Sequence, residues 1–174
     1  MSTATSRPLT LFRVDFRDLY ERHLCRHSQF GINVAHLAAL FGVWYGVYAF
    51  LFWLTRAEWV PVALAAAYLA LVALNAPLRV VVATALFLAA LVAAVLYLPA
   101  LPWWADLALV PVFYKLQAWS HKVFTVERDM TEFNKRYPKG PALFVVLIVY
   151  EVPLCLNYLL FQGKGPALAD KVAR

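Results

Sequence analysis

The chain has 174 residues, of which 63% are hydrophobic and 15% charged, and its formal net charge is +6. Soluble domains are roughly 45–50% apolar and about 25% charged, so these proportions exclude an ordinary soluble globular domain. The basic residues flank apolar runs, as membrane topology signals do, and this excludes nucleic acid as the expected partner in favour of a lipid bilayer. The composition predicts an all-α polytopic membrane helix bundle forming one domain over residues 1–174. Cys25 and Cys155 lie far apart and show no metal-ligand spacing, so no disulfide framework is expected.

Residues 1–26 are polar and rich in arginine, with no short apolar core before a cleavage site, so no cleavable signal is expected. Residues 9–30 read as a ragged amphipathic helix. Phe12, Phe16, Leu19, His23 and His27 form one stripe at helical spacing, with Arg17, Asp18 and Glu21 opposite. Such a helix is expected to lie on the membrane surface, apolar face down. His23 and His27 stand at i and i+4, so their imidazoles lie one above the other. That spacing suits two metal ligands; the alternative is an interfacial helix whose histidines touch headgroups.

Five apolar segments follow, near residues 32–54, 59–78, 80–99, 105–125 and 141–162. Each is close to the ~20 residues that a helix needs to cross the hydrocarbon core. Asn33 and His36 fall in the first turn of the first span, where His36 is a candidate ligand and Asn33 its orienting group; the alternative is a helix–helix hydrogen bond. Asn75, Pro77 and Arg79 separate the second and third spans and predict a tight helical hairpin. Trp53, Trp59, Trp103 and Trp104 lie near span ends, as belt aromatics do. On the fourth span Gln117 and His121 stand at i and i+4, so Gln117 is placed to orient His121 or a bound water.

Lys115, on the fourth span, and Glu151, on the fifth, both fall near the midplane and are expected to pair, unless Lys115 reaches toward an interface along its stem. Residues 126–140 are charged and predict a helical extension of the fourth span, ended by Pro138 and Pro141. Glu127, Asp129 or Glu132 is a possible carboxylate source for a nearby metal. Residues 163–174 are expected to form a tail.

The charge distribution gives an orientation. Arg7, Arg13, Arg17, Arg22, Arg26 and Arg79 share one face with Lys122, Arg128, Lys135, Arg136 and Lys139; the opposite face keeps Arg56, Lys164, Lys171 and Arg174. Five spans then place the N-terminus in the cytoplasm and the C-terminus outside, with a bacterial inner membrane as the expected location. His36 and His121 each lie about one turn inside the cytoplasmic boundary, roughly 6 Å deep at ~1.5 Å per residue. With His23 and His27 at the same face, four imidazoles become candidates for one metal site.

Tyr20-Glu-Arg-His23, His27 and Asn33-Val-Ala-His36, followed much later by Gln117-Ala-Trp-Ser-His121-Lys-Val-Phe124, resemble the two motifs of the membrane family of iron-dependent 2-hydroxy fatty acid dioxygenases, whose best-known member is the fungal α-oxidation enzyme. The chain departs from that pattern at Ser120, where the family has glycine, and at Thr125, where it has an acidic residue. The resemblance implies a non-heme Fe2+ site held by His23, His27, His36 and His121, with Tyr20, Asn33 and Gln117 arranged around it. It also implies a fatty-acyl or related lipid substrate arriving from the bilayer. Two readings of other kinds stand beside it: a heme b protein with His36 and His121 as axial ligands, and a non-enzymatic membrane scaffold or assembly factor.

Overall fold

The structure, a computed structural model, describes residues 10–124 and 140–161. Six helices account for nearly all of them: α1 Phe16–Arg26, α2 Phe30–Thr55, α3 Trp59–Ala73, α4 Leu78–Tyr97, α5 Trp103–Phe124 and α6 Pro141–Phe161. No strand occurs among the described residues, and the chain is an all-α bundle. Three helices, α2, α4 and α6, are long and apolar enough to cross a membrane.

The second expected span is shorter than its apolar run. Helix α3 has 15 residues, which is roughly 22 Å at ~1.5 Å per residue and less than the ~30 Å hydrocarbon core. The missing turn is spent on Asn75. Its side-chain carbonyl accepts from the Val14 amide at 3.0 Å, and its amide donates to the Tyr150 hydroxyl at 2.7 Å. The Tyr150 hydroxyl donates in turn to the Leu11 carbonyl at 3.1 Å. The α3–α4 hairpin is therefore a clamp on the N-terminal segment and on α6. Helix α5 has the length of a span, 22 residues, but Asp106, Lys115 and Lys122 dilute its apolar character.

Helix α2 is the hub and packs against α3, α4, α5 and α6. Its contact with α5 is the most extensive, and two glycines make it so. A Cβ on Gly42 would overlap the Phe113 ring, and one on Gly46 would overlap the Asp106 carbonyl oxygen. Small residues four apart let two helix backbones approach closely, the usual device of helix pairs in lipid. The contacts Gly31–Phe124, Gly42–Phe113 and Gly46–Asp106 run in opposite chain directions, so α2 and α5 are antiparallel. Trp53 and Trp103 meet at the far end of the pair, with ring centroids 6.0 Å apart. The same register brings His121 opposite His36.

Helix α6 is held by a complementary bond. Pro153 lies inside it and has no N–H for the Val149 carbonyl. The Tyr68 hydroxyl donates to that carbonyl at 2.6 Å and satisfies a group that would be costly to leave bare in lipid.

The N-terminal helix corrects one expectation. It starts later than the pattern suggested, because the Asp15 side chain accepts from the amides of Arg17 and Asp18 and caps it. Phe12 stays outside the helix and exposed. The apolar stripe of α1 does not face lipid. Phe16, Leu19, Tyr20 and Leu24 are buried in one core with Val80, Val146, Tyr150 and Leu154. The Tyr158 hydroxyl also donates to the Ser28 carbonyl at 2.6 Å, fixing the α1–α2 turn to α6. Helix α1 is thus a cap on one end of the bundle, and it presents His23 and His27 inward.

Candidate metal centre

Three imidazoles meet beneath this cap. His27 comes from the C-terminal end of α1, His36 from the second turn of α2 and His121 from the last turn of α5. The Nε2 atom of His36 lies 3.2 Å from that of His27 and 3.2 Å from that of His121. One nitrogen from each of the three lies within 4.8 Å of the others, an arrangement able to hold a metal ion. Two nitrogens at ~2.1 Å from one ion and 3.2 Å apart subtend an angle of roughly 100°, within the range of tetrahedral and octahedral sites. His27 and His36 are buried and His121 is half-buried.

The tautomer of His36 follows from its neighbours. Its Nδ1 lies 2.9 Å from the Ile32 carbonyl, which can only accept, so Nδ1 carries the proton and donates. The Ser120 hydroxyl donates to the Gln117 carbonyl at 2.7 Å, and its oxygen lies 3.2 Å from the same Nδ1. Nε2 of His36 is therefore the bare nitrogen, directed at the other two rings. A ligating histidine normally has its second nitrogen anchored in this way.

His23 stands beside the group rather than in it. The Asn33 amide donates to the carbonyls of His27 and Gln29 at 2.6 and 2.8 Å. Those bonds turn the Asn33 carbonyl toward Nε2 of His23, 2.7 Å away, so that nitrogen carries its proton. The His23 ring stacks on His27, with centroids 4.4 Å apart and planes 10° from parallel. The expected four-histidine set is thus three converging nitrogens with His23 and Asn33 holding the first of them in place. Tyr20 stacks farther out, 6.2 Å from His23, and its hydroxyl is buried away from the cluster with no hydrogen-bond partner among the described residues.

A carboxylate stands beside the cluster, that of Glu151, for which the sequence predicts a pair with Lys115 unless Lys115 reaches toward an interface. Its Oε1 lies 3.5 Å from Nε2 of His36 and accepts from the Gln117 amide at 2.9 Å. Lys115 is exposed on the outer face of α5. Depth along a span was legible, but the direction of each side chain around its helix was not. Gln117 therefore orients a carboxylate. The acidic candidates Glu127, Asp129 and Glu132 lie outside the described residues.

Burial sets the protonation of the histidines on α1. It pushes His23 down to about 4, with the Arg22 charge adding to the effect and the bond from Asn33 opposing it. His27 is driven well below the ordinary imidazole range, first by burial and then by the neighbouring His23 and His36. Both rings are neutral near pH 7, the form that binds metal.

The cluster opens into a groove of about 780 Å³, within the ~300–1,000 Å³ of small-ligand sites. Arg22, Arg26 and Glu151 line its polar end beside the histidines, and Leu40, Val47, Phe144 and Ile148 line the rest. From Leu40 to Val47 the groove follows α2 for roughly 10 Å at ~1.5 Å per residue. No family model, curated protein or solved structure matches this chain.

Proposed function

We propose that the protein is a membrane-embedded, histidine-liganded non-heme iron oxygenase that acts on a fatty-acyl or related lipid substrate. The observation that carries this reading is the convergence of His27, His36 and His121, with His27 and His121 lining the polar end of an apolar groove. A set of three imidazoles with a carboxylate nearby suits a divalent first-row metal and supports iron among them. Iron(II) held there would supply electrons and open coordination positions for dioxygen and for the substrate's oxygen groups.

The chain's own groups divide the remaining tasks. Arg22 and Arg26 favour an anionic head at the mouth, because guanidinium groups bind carboxylates with paired hydrogen bonds. The apolar walls exclude water and receive the tail. Glu151, oriented by Gln117, is within reach of the cluster to ligate or to accept a proton. Ser120 and Ile32 hold the His36 ring, and Asn33 holds the backbone of His27. Three nitrogens at one point favour a bare ion over heme b. A heme between His36 and His121 needs their nitrogens roughly 4 Å apart, with room for a macrocycle between them.

The test is oxygen consumption by the full-length protein, loaded anaerobically with iron(II), on addition of fatty acids and 2-hydroxy fatty acids of graded length. The expected result is uptake that depends on iron and on chain length. Uptake that no lipid stimulates would refute the oxygenase reading.

A further inference from the structure

The groove beside the histidines is the gap between two helices. Helices α5 and α6 both pack on α2, but neither packs closely on the other. Leu40, Val43 and Val47 of α2 form the floor, and Tyr114 and Phe144 stand exposed at the two edges. Helices α2 and α6 are long and apolar enough to cross a membrane. A slot on their flank therefore faces hydrocarbon and admits an acyl chain rather than a polar solute.

The two ends of the slot differ. At one end Arg22 and Arg26 stand with a single carboxylate, Glu151, beside His27 and His121. Two cations against one anion favour an anionic head there. From that end the α5 wall passes Gln117 and Tyr114 to Val110, a distance from His121 of roughly 16 Å at ~1.5 Å per residue.

Beyond Val47 and Val110 the same helical stripes carry aromatic rings. Phe50 follows Val47 by about one turn on α2, and Trp103 lies about two turns beyond Val110 on α5. Neither lines the groove. Trp53 joins them. Its ring stacks on Phe50 with centroids 6.3 Å apart and meets the Trp103 ring at 6.0 Å. The Arg56 guanidinium lies 5.3 Å from the centre of the Trp53 ring and holds it by a cation–π contact. The rings thus bridge α2 and α5 past the end of the slot that is remote from the histidines.

We propose, on the reading of this groove as the substrate site, that the Phe50–Trp53–Trp103 bridge is the end stop for the acyl chain. With Val47 and Val110 in front of it, the bridge sets the chain length that the protein accepts. An extended chain advances roughly 1.2 Å per bond, a third of the advance of an extended residue. The distance from His121 to Val110 then holds about 13 bonds. A straight chain of about 14 carbons reaches from the arginines and histidines to the front of the bridge. A much longer chain has to fold back or leave through the slot.

The test is native mass spectrometry of the full-length, iron-loaded protein, kept free of oxygen, from nanodiscs holding an equal mixture of saturated fatty acids from ten to twenty-two carbons. No turnover occurs, so the result stands whether or not the protein proves to be an oxygenase. The expected wild-type profile peaks near about 14 to 16 carbons and falls about tenfold within a few more. Val110→Trp should move the peak about four carbons shorter, and Trp103→Ala should move it about four carbons longer, one helical turn each way. Val47→Trp, on the facing helix, should repeat the shortening and decides the matter if Val110→Trp does not fold. Circular dichroism monitors folding. No retained fatty acid, a wild-type profile without an upper limit, folded variants with an unmoved peak, or a Trp103→Ala peak that moves shorter would overturn the proposal.

Discussion

The Nε2 atoms of His36 and His121 lie 3.2 Å apart although 85 positions separate the two residues in the chain. Neither residue creates that proximity. It comes from the antiparallel register of α2 and α5, set by Gly42 against Phe113 and Gly46 against Asp106. The metal centre therefore depends on a helix contact that lies one to three turns away from it.

Gly46→Leu should separate the two helices, because the added side chain meets a backbone carbonyl that cannot yield. Overpacking of this kind costs about 1–3 kcal/mol or more. The melting temperature should fall and metal content should fall with it, although no ligand has been touched. Gly42→Ala should be milder, since the Phe113 ring is a side chain with room to turn. Metal analysis and thermal unfolding of both variants check this ordering.

Gln117→Ala should weaken metal binding about 10–100-fold, as the loss of an orienting group does. Glu151 would keep its place near His36 but lose the bond that aims it. Titration of apo-protein with iron(II) or a spectroscopic surrogate measures the change, and unaltered affinity would remove Glu151 from the site.

The depth of His36 and His121 was legible in the sequence, because lysine and arginine positions place both at one face. The stripe carrying His23 and His27 was legible too. Periodicity could not say that Asn33 would claim the Nε2 of His23, since that depends on the turn between α1 and α2. It also could not say that the stripe would be covered by α6 instead of lipid, because a docked helix and a surface helix have the same amphipathic pattern. Glu151 was recognised as out of place in an apolar span, yet its partner was misassigned. A lone acid in a span gives its depth and not its azimuth. The spacing of Gly42 and Gly46 is the signal that would have placed α5 against α2.

Tyr68→Phe should lower stability by roughly 1–3 kcal/mol, because the Val149 carbonyl freed by Pro153 loses its only substitute donor among the described residues. Metal content should stay unchanged, since Tyr68 lies away from the histidines. Thermal unfolding with parallel metal analysis tests both halves.

The metal-free protein should lose stability in acid. His23 titrates at about 4 when folded, against an ordinary 6.5. Above pH 6.5 the ring is neutral in both states and has no effect. Between 6.5 and about 4 the unfolded chain binds a proton that the folded chain does not, so stability falls by up to about 3 kcal/mol. His23→Gln should flatten this part of the profile. Melting curves of chelator-treated protein from pH 7.5 to 4.5 give the comparison.

The central claim is that His27, His36 and His121 bind one metal ion. It is tested most directly by elemental analysis of the untagged protein beside His121→Ala. The account predicts about one iron per wild-type chain and almost none in the variant, with the variant still inserted and helical. A wild-type protein that carries no metal under any loading condition would contradict it. So would a variant that keeps full metal content and loses only thermal stability, for then the histidines are packing groups at the end of a helical bundle.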